Sequence, residues 1–199
     1  MSVPLILASS SRSRRIMLES AGVAFTVTVP PIDEAILKSV LLDSGSDAFR
    51  MAEELAQAKA LAVSRHHQGA LVLGSDQVLV CDGEVFSKAD TEAAARETLD
   101  ALRGREHQLI TAAIIARDEV ALWRHTESAV LTMRKFSNAF LDEYLLAEIP
   151  EILGSVGCYQ IEGRGAQLFS EIAGDQFCIR GLPLIPVLSA LRDFGVIAV

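Results

Sequence analysis

The chain has 199 residues, half of them hydrophobic, and a formal net charge of −8. That length suits one domain of generous size, or two small lobes sharing a core. The acidic balance argues against extended nucleic-acid binding, and no apolar run reaches the ~18 residues of a bilayer span. Three scattered cysteines, Cys81, Cys158 and Cys178, have neither metal-ligand spacing nor the even count of a disulfide framework. Charges follow the first short apolar run directly, unlike a signal peptide. The expectation is a reduced, cytoplasmic protein with a single domain over 1–199. An acidic protein that binds a small polyphosphate must gather its few basic groups in one cleft. It would also need a divalent cation held by carboxylates.

In chain order, Pro4 to Ala8 is a short apolar run that stops at Ser9-Ser10-Ser11. A basic amphipathic segment follows, with Ile16, Met17, Leu18 and Ala21 as core contacts, so the reading is strand, tight turn, helix. Such a turn leaves backbone N–H groups unpaired at the positive end of the helix dipole. Ser9, Ser11 and Arg12, Arg14 or Arg15 add donors, giving an anion site suited to phosphate. A serine N-cap with solvated arginines explains the same residues equally well.

Val23 to Val29 reads as a strand closed by Pro30-Pro31, with Asp33-Glu34 directly beyond. Asp47 to His66 is a long helix with Ala48, Met51, Leu55, Ala58 and Ala62 on one side. Lys59 lies near that apolar face, either snorkelling or reaching into a site. Ala70 to Leu73 is a buried strand, interrupted by Gly74-Ser75-Asp76 and resumed from Gln77 to Cys81. Asp82-Gly83 is a two-residue hairpin turn leading into Glu84 to Phe86. Asp90 or Thr91 caps a helix that runs to about Arg103 and is closed by Gly104. Strands at 107–117 and 120–133 flank the Asp118-Glu119 turn. Ser137 caps a helix ending near Pro150, short strands are expected over 157–163 and 167–172, and Gly181-Leu-Pro183 starts the last helix. Alternation first and meander later predict an α/β protein with a mixed sheet.

Five polar features interrupt these patterns: the Ser9–Arg15 turn, Asp33-Glu34, Lys59, Asp76 and Lys88. Asp76 is the sharpest, because a carboxylate two residues beyond a buried strand needs a partner or a metal. Alternatively it is an Asx-turn acid at a bulge. Glu34 and Lys88 also read as solvated loop residues. His107 reads as structural, and Trp123 and Phe140 as core.

With these residues in view, Leu7-Ala-Ser-x-Ser-x-x-Arg14 resembles the opening signature of the Maf family of nucleoside triphosphate pyrophosphatases. The match continues through Ile32-Asp-Glu34, Ala58-Lys-Ala60, Gly74-Ser-Asp-Gln-Val78, Lys88, Glu162-Gly163 and Gly181-Leu-Pro-Leu184, in order over nearly the whole chain. The resemblance implies an elongated mixed β-sheet flanked by helices, in two lobes with a central cleft, like the inosine triphosphate pyrophosphatases. It also implies hydrolysis of a nucleoside triphosphate to the monophosphate and pyrophosphate with a divalent metal, Mg²⁺ or Mn²⁺, in a protein that is often a homodimer. Ser9, Ser11 and Arg14 would then hold phosphate oxygens, and Lys59 and Lys88 would neutralise the triphosphate. Glu34 and Asp76 would organise the metal, and Asp76 would orient or deprotonate the attacking water.

Gly74-Ser-Asp-Gln-Val78 and Glu162-Gly163 are similar to the group acting on 7-methyl-GTP. The group acting on dTTP and UTP typically has Ala-Asp-Thr and Ile-Gln-Gly there, and an arginine where this chain has Ser13. A carboxylate at Glu162 suits the paired N–H donors of guanine. The alternatives are a dTTP/UTP pyrophosphatase and a non-catalytic nucleotide-binding inhibitor of septum formation.

Overall fold

The computed structural model describes residues 3–198. Their strands are β1 (Leu5–Ala8), β2 (Thr26–Val27), β3 (Leu71–Cys81), β4 (Glu84–Phe86), β5 (Glu106–Arg117), β6 (Val120–Met133) and β7 (Phe169–Ala173). The helices are α1 (Arg12–Ser20), α2 (Glu34–Asp43), α3 (Ala48–Ser64), α4 (Glu92–Leu102), α5 (Asn138–Glu148), α6 (Gln176–Ile179) and α7 (Leu184–Asp193). The sheet runs β2-β1-β3-β5-β6-β7, with β4 paired to β3. It is mixed: β1 lies parallel to β2 and β3, whereas β4 and β7 pair antiparallel to β3 and β6. The protein is therefore α/β with helices flanking a mixed sheet, as the alternation in the sequence predicts.

The chain divides into two compact units. The first holds residues up to Gln77, Ile110–Glu127 and Gln176 onward; the second holds Val78–Leu109 and Ser128–Asp175. In the first, the pleat decides what each strand residue faces. Leu5 and Leu7 of β1, Leu71 and Leu73 of β3, and Ala113 and Ile115 of β5 pack against Met17 and Leu18 of α1 and Val187 and Leu191 of α7. Alternate residues face the other way. Ala8 pairs with Gly74 in the β1–β3 register, and Gly74 lies against α3: an added Cβ would sit 2.4 Å from the Ala56 carbonyl oxygen and 2.8 Å from the Ala60 nitrogen. Only glycine permits that approach of helix to strand.

In the second unit, Asp82 and Gly83 take φ of 50° and 83°, the positive pair of a two-residue hairpin. Thr91 and Ser137 cap α4 and α5 by accepting from the Ala94 and Phe140 amides. His107, Tyr159 and Phe169 form an aromatic cluster in which His107 Nε2 and the Tyr159 hydroxyl hydrogen-bond at 2.8 Å.

Four expectations are corrected. β3 is unbroken from Leu71 to Cys81, so Gly74-Ser75-Asp76 belongs to the ladder and not to an interruption. β2 is limited to two residues, because it is an edge strand pairing only Ile6 and Leu7 of a four-residue neighbour. No strand forms over 157–163: Cys158 takes φ 57°, and hydrogen bonds donated by the Cys158 amide to the Ser155 carbonyl and by the Gly163 amide to the Gln160 carbonyl turn the backbone instead. The helix α2 was not anticipated. Asp33 caps it, accepting from the Ile36 amide at 3.0 Å, and Ile36, Leu37, Val40 and Leu41 carry the helical spacing that marks it. Pro183 stands at the N-cap of α7, one residue before the helix. Among the described residues no helix is long and apolar enough to cross a membrane.

Candidate active site

The first unit gathers six of the residues singled out in the sequence. β1 ends at Ala8, and Ser9 is buried in the turn that follows. Ser11 is the N-cap of α1, its side chain accepting from the Arg14 amide at 3.4 Å. Arg14, Met17 and Leu18 form the buried stripe of α1, the i, i+3, i+4 spacing of a core face. Arg14 thus occupies a core position while Arg12 and Arg15 are exposed. Its guanidinium is placed by two bonds, Nε donating to the Gly181 carbonyl at 2.6 Å and Nη1 donating to Ser9 Oγ at 3.2 Å. Ser9 Oγ also accepts from the Ser11 amide at 3.1 Å. Burial pulls the Arg14 pKa below its ordinary value, while Asp76 and Glu34 push it back up. The cap reading therefore holds for Ser11, and the solvated-arginine reading holds for Arg12 and Arg15 but not for the buried Arg14.

The pleat of β3 separates two sets of side chains. Gly74 and Asp76 share the α3 side. There Lys59 Nζ lies 2.6 Å from Asp76 Oδ1 and 2.8 Å from Glu34 Oε2. The lysine side chain is 5% exposed, the aspartate 13% and the glutamate 50%. Lys59 is therefore buried and ion-paired, and the snorkelling alternative does not hold. Glu34 begins α2, directly after the Asp33 cap. The Asx-turn reading of Asp76 is excluded, since the residue lies within a regular strand.

Ser75 and Gln77 point the opposite way. Ser75 Oγ donates to the Gly181 carbonyl at 3.0 Å, the acceptor that also holds Arg14. Gln77 Nε2 donates to Thr111 Oγ1 and to the Cys178 carbonyl, each at 2.9 Å. Thr111 in turn donates to the Cys178 carbonyl at 3.0 Å. These residues pin the backbone of 178–181 and so fix the Arg14 fork. Sequence reasoning quoted Ser75, Gln77 and Gly181 without giving them a role and overlooked Thr111. The period-2 alternation along β3 is the signal that separates Ser75 and Gln77 from Asp76.

Lys88 and Glu162 belong to the second unit. Lys88 is exposed in the segment after β4, and Glu162 is exposed in the turn before Gly163.

Two carboxylates converging on one point form an oxygen donor set of the kind that holds Mg²⁺ together with water and substrate phosphates. No cluster of three or more His, Cys, Asp or Glu side chains among the described residues forms a complete protein cage. Glu34 and Asp76 are therefore the residues that could hold a hard divalent cation, with the rest of its coordination coming from outside the protein.

The fold is thus mixed α/β, with a buried arginine, a buried lysine and two carboxylates converging on that lysine. Residues 4–194 match the family described as Maf-like protein. The chain is 45% identical to a "Nucleoside triphosphate pyrophosphatase" of Granulibacter bethesdensis, over 98% of this chain and 99% of that protein. It is 47% identical to a protein of the same name from Paramagnetospirillum magneticum, over 96% and 98%. It is also 48% identical to a "7-methyl-GTP pyrophosphatase" of Mesorhizobium japonicum, over 99% of each. The chain belongs to the Maf family.

Proposed function

We propose that this protein is a nucleoside triphosphate pyrophosphatase that cleaves its substrate between the α- and β-phosphorus, with 7-methyl-GTP as the first substrate to test. The observation that carries the reading is the buried Lys59 ammonium shared by Asp76 and Glu34, with the Arg14 guanidinium in the field of both acids. The printed names of the relatives support the activity class, and one of them is named for 7-methyl-GTP.

In this reading Ser9, Ser11 and Arg14 receive phosphate oxygens, and Lys59 and Lys88 neutralise the triphosphate. Catalysis of this type is mostly positioning and charge neutralisation. Asp76 orients a water molecule and accepts its proton as the oxygen bonds to the α-phosphorus. The α–β bridging P–O bond breaks, its electrons stay on the bridging oxygen, and pyrophosphate leaves. Glu34 and Asp76 are the carboxylates that would hold a divalent cation, Mg²⁺ or Mn²⁺, which supplies Lewis-acid stabilisation of the phosphoryl charge. Glu162 reads the guanine edge as a bidentate acceptor.

The purified protein with Mg²⁺ releases pyrophosphate, not orthophosphate, from 7-methyl-GTP. Absence of turnover on every canonical and modified triphosphate would sink the proposal. Asp76→Asn lowers kcat by at least about a hundredfold, the scale of a lost acid–base group, with the fold retained by circular dichroism. Glu162→Gln lowers kcat/KM for 7-methyl-GTP much more than for UTP; equal losses remove the base-reading role from Glu162.

A further inference from the structure

The Lys59 ammonium occupies the point on which Glu34 and Asp76 converge, 2.8 and 2.6 Å from their oxygens. We infer that Lys59 is a built-in counter-ion that competes with a divalent cation for these two carboxylates, so that the cation is taken up with the triphosphate and not by the nucleotide-free protein. The inference rests on the reading of Glu34 and Asp76 as the metal carboxylates.

Three observations carry it. The lysine side chain is 5% exposed, so its charge cannot retreat into water while a cation enters. Its backbone is fixed, because Gly74 brings β3 against the α3 backbone at Ala56 and Ala60, the latter next to Lys59. Finally, both carboxylates already have a cation at hydrogen-bond distance. A second cation among them therefore faces direct repulsion from the ammonium at close range in a partly desolvated setting. A polyphosphate changes that balance. Its oxygens give the ammonium another partner and release carboxylate lone pairs. The result is a site that binds a metal–nucleotide complex and resists free metal.

The test titrates Mn²⁺ alone into nucleotide-free protein by isothermal calorimetry, with electron paramagnetic resonance counting free Mn²⁺. The wild type binds weakly. Lys59→Met and Lys59→Gln remove the ammonium from between the two carboxylates and bind Mn²⁺ at least about tenfold more tightly, a conservative fraction of the Coulomb repulsion removed. Lys59→Arg keeps the charge and stays near wild type. Equal Mn²⁺ affinity in the wild type and both neutral variants overturns the inference.

If neither neutral variant folds, the wild type decides through ¹⁵N-labelled lysine. The Lys59 Nζ resonance stays in place when Mg²⁺ is added alone and shifts when Mg²⁺ is added with a non-hydrolysable triphosphate; an equal shift with Mg²⁺ alone overturns the inference. Pyrophosphate release by the wild type is measured in parallel. Turnover without the affinity gain removes the counter-ion role and leaves the enzymatic proposal standing; the gain without turnover does the reverse.

Discussion

At the scale of single residues, Arg14 shows how burial and hydrogen bonding convert a basic side chain into a fixed donor. Its guanidinium spans two acceptors from one plane, the Gly181 carbonyl and Ser9 Oγ. A lysine ammonium carries similar charge but lacks the fork. Arg14→Lys therefore leaves the Gly181 carbonyl with Ser75 alone and removes a donor from Ser9. The expected cost is about 1–3 kcal/mol of stability, the range for hydrogen bonds to charged groups, read as a lower urea midpoint. KM for the triphosphate should rise with it, on the order of tenfold, corresponding to about 1.4 kcal/mol of binding. An unchanged KM would show that the charge alone matters and the fork does not.

Among secondary-structure elements, the decisive meeting is that of α3 with β3. Gly74 has no room for a methyl group: the added carbon would overlap the Ala56 carbonyl and the Ala60 amide, both backbone atoms that cannot rotate away. Gly74→Ala must push α3 outward, and Lys59 moves with it. We expect a loss of about 1–3 kcal/mol, typical of overpacking, and a fall in kcat larger than the stability loss explains, because the Lys59–Asp76 contact of 2.6 Å is displaced. Thermal unfolding and steady-state kinetics on the same preparation check both halves. Ser75→Ala is the control. It removes one bond on the opposite face of β3 and leaves the α3 crossing intact, so its effect should fall on KM more than on kcat.

For the whole molecule, acid stability follows from the second unit. His107 is buried, and burial lowers its pKa from 6.5 to about 4. Its Nδ1 has no hydrogen-bond partner among the described residues. The neighbouring Tyr159 phenol is pushed well above its ordinary pKa by burial, so it stays protonated. The unfolded chain therefore binds a proton at His107 that the folded chain refuses. This contribution to stability is complete above pH 6.5 and is lost as pH falls from 6.5 to about 4, amounting to about 3 kcal/mol. His107→Gln should flatten the urea-midpoint slope over that window. An unchanged slope would place the acid sensitivity in other groups.

Much of this was legible in the amino-acid sequence because local rules depend on neighbours along the chain. The helix of 48–64, the Asp82-Gly83 turn, the Thr91 and Ser137 caps and the long strands of 106–117 and 120–133 follow from spacing and cap chemistry. Helix α2 was legible too, through its Asp33 cap and the spacing from Ile36 to Leu41, but the signal was short. The motifs around Ser9, Arg14, Lys59 and Asp76 determined the family. Only tertiary structure decided the ambiguous residues. Asp76 reads from sequence as either a bulge acid or a site acid, and the choice depends on which helix covers its face of β3. The unbroken strand removes the bulge, and Lys59, seventeen residues away, is the charge that Asp76 meets. Arg14 reads as either a solvated charge or a phosphate donor, and its bond to Gly181, 167 residues distant, fixes it in the core. Such pairings cannot be read from spacing, because a strand offers two faces and its side-chain period says only which residues share one. The helix that packs there, admitted by the missing side chain of Gly74, determines which charge each residue meets.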